Sequence, residues 1–240
     1  MGPGLEIASI SDVPAGTGLS SSSAFTVGLL HALYRYNLQS INPRQLAEEA
    51  CNIEIHTLNS PIGKQDQYAA SFGGFNVFRF QKGKKVEVIP LKLSSSTRQN
   101  LKQHLRLYFL GSTRSTNTLL KRQNSLKNRK KKVILLKKMV EQVDILRKDL
   151  ESNETNTIGP LLHETWIRKK ELDQSISNST IDEIYNKALS YGASGGKLLG
   201  AGGGGFFLLV HNDHDYLEKK LGLKTLTFDF DLKGSQLTNF

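Results

Sequence analysis

Between Leu5 and Tyr36 the chain passes from an apolar run, LEIAS, through the breakers Asp12, Pro14, Gly16 and Gly18 into four successive serines and then an apolar periodicity. The apolar run followed by turn residues predicts a short strand over Leu5–Ser9. Phe25, Leu29, Ala32, Leu33 and Tyr36 recur at three- and four-residue spacing, which predicts an amphipathic helix from Ser23 onward. Strand, glycine turn and helix start together form an anion site, because unpaired backbone N–H groups and the positive end of the helix dipole converge there. Glycine lets the backbone approach a phosphate closely, and the hydroxyls of Ser21, Ser22 and Ser23 can bond its oxygens or a magnesium ion bound to it. The same string also suits a serine-rich capped turn with no ligand. It is not a Walker loop, since no Gly-Lys-Ser/Thr follows, and it is not a dinucleotide fingerprint.

Further along, Asn42-Pro43 with Gln45 reads as a capping box with proline at the first helical position, opening a helix that runs to about His56. FNVFRF (Phe75 to Phe80), QKGKK and VEVIPL (Val86 to Leu91) read as a hairpin, and LRLYFL (Leu105 to Leu110) as a third strand, which makes the middle β-rich. Helices are expected near Leu126 to Leu150, Ile158 to Leu172 and Ile181 to Tyr191, with polar breaks around Ser152 to Asn156 and Ser175 to Ser179. FFLLV (Phe206 to Val210), a helix near Asp213 to Leu221 and TLTFDF (Thr225 to Phe230) complete an α+β pattern. With 240 residues, 38% hydrophobic and 22% charged, the chain can bury a core of one large or two small domains. It contains no apolar run of about 18 residues and no basic-then-apolar leader, so neither a membrane span nor a signal peptide is expected. Its one cysteine, Cys51, excludes an internal disulfide, reads as a buried apolar filler and fits a reducing, cytoplasmic setting.

The formal charge of +10 admits nucleic acid, an acidic membrane or anionic small molecules, and charge alone does not choose among them. Much of the excess lies in Lys121 to Lys138, which has no acidic residue and reads as a solvated helix with its preceding loop. Aromatic residues are not interleaved there as base stacking requires, and no helix-turn-helix or zinc-finger spacing occurs, so no nucleic-acid partner is expected.

PAGTGLSSSSA, Pro14 to Ala24, matches the second motif of the GHMP kinases, PxxxGLxSSxA, and GGKLLGAGGGGFFLLV, Gly195 to Val210, resembles their glycine-rich third motif leading into a strand. Between them, GKQDQYAASFGGFNVFRF, Gly63 to Phe80, resembles most closely the branch that phosphorylates D-glycero-D-manno-heptose 7-phosphate on its anomeric hydroxyl. The resemblance spans essentially the whole chain. It implies an ATP- and magnesium-dependent sugar kinase with the family's α+β, two-layer sheet and helix arrangement, whose substrates are ATP and a sugar or sugar phosphate. Fucose, galactose or another family alcohol stand as alternative acceptors, and a binding module without turnover as the alternative to an enzyme. It also implies a division into residues 1–95, the remainder of an ATP-binding N-terminal domain, and residues 96–240, a C-terminal domain. Family members carry several strands and a first motif ahead of motif two, so the chain resembles a kinase lacking its N-terminal part. A sheet deprived of strands would expose an edge and apolar surface, which leads to a homodimer or to poor solubility.

Residue by residue, the resemblance assigns ATP binding to Pro14, Gly16, Gly18, Leu19, Ser20, Ser21, Ser22, Ser23 and Ala24, and a phosphate turn to Gly200, Ala201, Gly202, Gly203 and Gly204. That turn could offer N–H groups to phosphate or pack tightly against the first loop. Asp66 matches the catalytic aspartate that accepts or orients the hydroxyl proton, and Lys64 could neutralise phosphate charge or be a surface lysine. Glu54 lies on the stripe of Ala47, Ala50 and Cys51, where a carboxylate needs a partner. The resemblance makes that partner a magnesium ion shared with Ser22; a salt bridge to a basic residue is the other reading, and the loop departs from the family's glycine-rich form at Pro61 and Ile62. Arg114 in GSTRSTN could grip a sugar phosphate or face solvent. HETWIRKK places His163, Trp166, Lys169 and Lys170 on about two helical turns, with Trp166 expected to pack, His163 to be structural, and Lys169 or Lys170 able to reach a phosphosugar.

Overall fold

The four serines do start a helix. In the computed structural model, which describes residues 4–83, 85–111, 120 and 129–238, helix α1 spans Ser21–Tyr36. Ser20 caps it in a left-handed conformation, φ 59°, with no side-chain cap bond. Its buried stripe is Ser23, Val27 and Leu30, while Phe25 and Tyr36 of the expected stripe are exposed. The rotation follows from what the helix packs on. Val27 and Leu30 meet Leu46 and Ala50 in one cluster, so the face turned to the second helix decides burial. The residues expected as a strand, Leu5–Ser9, form none: they are exposed, and they have no ladder partner among the described residues.

Helix α2, Pro43–Cys51, carries the full capping box, with the Asn42 side chain accepting from the Gln45 N–H. It then widens into a π-helical segment, Asn52–Thr57, which extends the element to the length the sequence implied and places Glu54 at its wide turn. Helix α3, Gln65–Phe72, follows. Ala47, Cys51, Tyr68 and Val86 form a second cluster beside it, so Cys51 is the buried filler expected.

Strands β1, Asn76–Arg79, and β2, Glu87–Pro90, make the antiparallel hairpin in the register Val77↔Ile89. Helix α4, Ser95–His104, has no counterpart in the expected pattern, although Ser94 caps it by accepting from the Thr97 N–H. The third expected strand, β3, Leu105–Phe109, does not join the hairpin. It lies in a separate antiparallel sheet of order β4-β5-β3-β6 with β4, Gly195–Leu198, β5, Phe206–Val210, and β6, Thr225–Leu226. TLTFDF therefore pairs over only two of its residues, and the start of the glycine motif is itself a strand.

Helices α5, Arg129–Glu151, α6, Ile158–Leu172, α7, Ser179–Ser190, and α8, His214–Leu221, cover this sheet, with a short 3₁₀ turn at Gln174–Ile176. Trp166, Tyr185 and Phe207 form its aromatic centre, with ring centroids 5.6 Å apart for Trp166 and Phe207 and 5.4 Å for Tyr185 and Phe207. Such pairs add about 0.5–1.5 kcal/mol each beyond burial of their area. Trp166 packs as expected, and His163 bonds the Tyr185 hydroxyl through Nδ1 at 2.9 Å. No helix among the described residues is long and apolar enough to cross a membrane. The chain has the α+β fold, with helices laid on small antiparallel sheets.

Candidate active site

Two loops distant in sequence meet backbone to backbone. A methyl group on Gly18 would lie 3.0 Å from the Leu199 carbonyl oxygen and 3.2 Å from the Gly200 Cα, and one on Gly205 would lie 2.2 Å from the Thr17 carbonyl oxygen. Gly18 and Gly200 have φ of 81° and 64°, values that side chains rarely adopt. The stretch Pro14 to Ala24 thus leans on the glycine-rich turn, and Thr17, fully buried, ties its own loop by donating to the Pro14 carbonyl at 3.0 Å. Within that loop Gly16 also takes positive φ, and Leu19 and Ser20 carry the backbone into α1, where Ala24 donates to the Ser20 carbonyl at 2.9 Å. Without a side-chain cap, the first-turn N–H groups of α1 are oriented to take an anion.

Two carboxylates meet these serines. Glu54 is 1% exposed; Ser22 Oγ donates to its Oε1, while Ser23 Oγ and Gln67 Nε2 donate to Oε2 at 2.7 and 2.5 Å. Among the described residues no basic side chain forms the alternative salt bridge: hydroxyls and an amide hold this carboxylate. Asp66 sits in the first turn of α3, half-buried. Burial pushes its carboxyl above the usual value, a hydrogen bond from the Ser20 hydroxyl pulls it back, and the Glu54 charge raises it further. Ser20, Ser22 and Ser23 therefore connect the head of α1 to both acidic residues. Gln67 is a member of this site that sequence reasoning passed over. Its place directly after Asp66 was the available signal.

The remaining candidates lie elsewhere. Lys64 is exposed and lines a cavity with Glu48, Cys51, His56 and Tyr68. Burial pushes the Cys51 thiol up to about 11, and the Lys64 charge opposes it. Lys169, expected to be able to reach a phosphosugar, donates instead to the carbonyls of Leu198 at 3.1 Å and Gly200 at 2.6 Å, clamping the turn. Burial, and then Lys197, push its ammonium down to about 7. Lys170 is taken up by Asp182 at 2.9 Å. Of the two uses foreseen for Gly200 to Gly204, tight packing is what the backbone displays. The Gly203 N–H donates to the Ile176 carbonyl at 2.9 Å, which removes it from phosphate, and a methyl on Gly202 would meet the same oxygen at 2.8 Å. Ala201, half-buried, lies in the bend between Gly200 and Gly202. Arg114 and the stretch from Lys121 to Asn128 lie outside the described residues.

The donor set suits a hard cation. Glu54 supplies a carboxylate oxygen and Ser22 a hydroxyl oxygen, both oxygen ligands of the kind magnesium takes when nucleotide phosphates and water complete its shell. Among the described residues no group of three or more His, Cys, Asp or Glu forms a metal cage.

The GHMP kinases N terminal domain model matches residues 1–74 and the GHMP kinases C terminal model matches residues 146–221. The D-glycero-alpha-D-manno-heptose 7-phosphate kinase of Campylobacter jejuni is 32% identical over 82% of this chain, which spans 58% of that protein. A bifunctional fucokinase/GDP-fucose pyrophosphorylase of Arabidopsis thaliana is 26% identical over 96% of this chain and 22% of its own length. The crystal structure of a D-glycero-D-manno-heptose 1-phosphate kinase from Bacteroides thetaiotaomicron superposes with a TM-score of 0.70 at 26% identity, covering 93% of this chain and 64% of that one. The chain thus spans less than two thirds of each of these three relatives.

Proposed function

The chain belongs to the GHMP kinase family, and from that premise we propose that it transfers the γ-phosphoryl group of ATP to a sugar hydroxyl, with the anomeric hydroxyl of D-glycero-D-manno-heptose 7-phosphate as the acceptor. The observation that carries the reading is the contact of one serine run with two carboxylates of different surroundings. Glu54 is buried and held by three donors; Asp66 is half-buried and touched only by Ser20 among those serines. In this reading the head of α1 and the loop from Pro14 to Ala24 bind the ATP phosphates through backbone N–H groups. Asp66 orients the attacking hydroxyl and takes its proton as the O–H bond gives way to an O–P bond and ADP leaves. Its carboxyl, raised by burial, is a better proton acceptor than a solvated one at the same position. Glu54 and Ser22 would hold magnesium. Bound there, the ion offsets charge on the β- and γ-phosphates. The Gly200 to Gly204 turn, clamped by Lys169, acts as the wall that keeps the phosphate loop in place.

The test is incubation with magnesium and ATP against a panel of the heptose phosphate, fucose and galactose, read by mass spectrometry for addition of one phosphoryl group. The heptose phosphate alone is expected to gain it. Phosphorylation of fucose or galactose in preference would overturn the substrate assignment. Nucleotide binding with no product from any acceptor would favour a binding module.

A further inference from the structure

Resting on the reading of Glu54 as a magnesium ligand, we propose that Gln67 is the positioning residue that sets the orientation of that carboxylate and thereby the affinity of the site for its ion. Gln67 is fully buried on α3, one residue beyond Asp66. Its Nε2 donates to Glu54 Oε2, and its own carbonyl oxygen, Oε1, has no hydrogen-bond partner among the described residues.

That arrangement has one chemical explanation. A carboxylate only accepts, so the amide must turn its N–H group to Glu54, and it keeps that orientation although its own acceptor is left without a donor in a buried place. The charge on Glu54 dictates how the amide lies. In return the amide dictates how the carboxylate lies. Ser23, buried, and Gln67, buried, both hold Oε2, whereas Oε1 is touched by Ser22, which is exposed. Glu54 therefore has one oxygen held by two buried donors and the other held only by Ser22 at the exposed head of α1, the side from which a phosphate-bound cation would arrive. Ser23 alone fixes one direction, and a second donor from a different helix removes the remaining rotation. Because Asp66 and Gln67 are adjacent on one helical turn, the same helix also sets the spacing between the metal-holding and the proton-accepting carboxylates.

Groups behind a metal ligand typically change metal affinity by about 10–100-fold when removed. The experiment is binding of manganese to the 240-residue chain in the presence of ADP, followed by the electron paramagnetic resonance of the free ion, with no turnover required. Gln67→Met, which keeps the volume and removes the donor, is expected to weaken manganese binding about tenfold or more while ADP affinity without metal stays within about twofold. Gln67→Leu removes the donor with a differently shaped side chain and is expected to weaken manganese binding by a similar factor. Far-ultraviolet circular dichroism identifies a variant that fails to fold, in which case the other decides. If both variants fold and bind manganese as the unsubstituted chain does, Gln67 is packing only and the proposal falls. If the unsubstituted chain itself binds no manganese with ADP, the metal site assigned to Glu54 falls, and the proposal with it.

Discussion

Gly200 and Gly222 offer a matched pair for testing whether the contact between the two loops matters. Both adopt left-handed backbone, φ 64° and 65°, so an alanine at either bears nearly the same conformational cost, about 1–2 kcal/mol. Their surroundings differ completely. A methyl on Gly222 meets nothing within 4 Å, whereas one on Gly200 lands 2.6 Å from the Gly18 Cα, about 0.8 Å short of the 3.4 Å at which ordinary contact begins. The obstacle is backbone, so it cannot rotate aside; the phosphate loop or the turn must shift, at about 1–3 kcal/mol for overpacking of this kind. Gly200→Ala should therefore lose about 2–5 kcal/mol, and Gly222→Ala about 1–2 kcal/mol. Urea unfolding measures both. Isothermal titration with magnesium and ADP adds a readout that stability does not mimic, since displacement of the loop carrying Gly18 should weaken nucleotide binding about tenfold or more only in the Gly200 variant, in line with the sensitivity of positioned groups to shifts near 1 Å. Equal unfolding midpoints for the two variants, together with unchanged ADP affinity, would refute the claim that Gly18 and Gly200 press on one another.

Asp66→Asn is expected to lower turnover at least about a hundredfold with little change in ATP affinity, because the amide can position a hydroxyl but cannot accept its proton; steady-state kinetics with the proposed heptose phosphate reads this directly. Glu54→Gln and Ser22→Ala should each raise the magnesium concentration needed for half-maximal ADP binding, and unchanged titrations in both would remove the metal assignment. Acid should destabilise the fold through His214, which is 4% exposed and bonded through Nδ1 to the Tyr108 hydroxyl at 2.9 Å. Burial, with Arg106, His211 and His104 nearby, pushes its ring down from 6.5 to about 4. The unfolded chain then binds the proton first, so the contribution is complete above about pH 6.5 and is lost as pH falls to about 4, a difference of about 3 kcal/mol. Urea unfolding at pH 7 and pH 4.5 should show that loss, and it should shrink in His214→Gln.

Much of this molecule was legible because its signals are local. The serine run starts α1, the Asn42-Pro43-Gln45 box starts α2, and FNVFRF pairs with VEVIPL as a hairpin, since each depends on groups close to one another along the chain. The two glycine-bearing motifs and Asp66 were equally visible as strings. Residues separated along the chain were decided only by packing. LRLYFL gave no indication that β3 would leave the hairpin for a sheet with β5, more than 90 positions away, because strand propensity carries no address for its partner. The apolar periodicity of α1 named a stripe, yet the helix buries a different one, because α2 supplies the surface. Spacing put Glu54 among apolar residues without saying what would satisfy it; Ser22, Ser23 and Gln67 arrive from 32, 31 and 13 positions away. Lys169 could point anywhere its long stem allowed, and the carbonyls of Leu198 and Gly200 settled where it goes. Local sequence determines what each short segment can do alone, whereas the partner of a buried charge is chosen by the fold, since burying it unpaired costs more than nearly any local preference can offset.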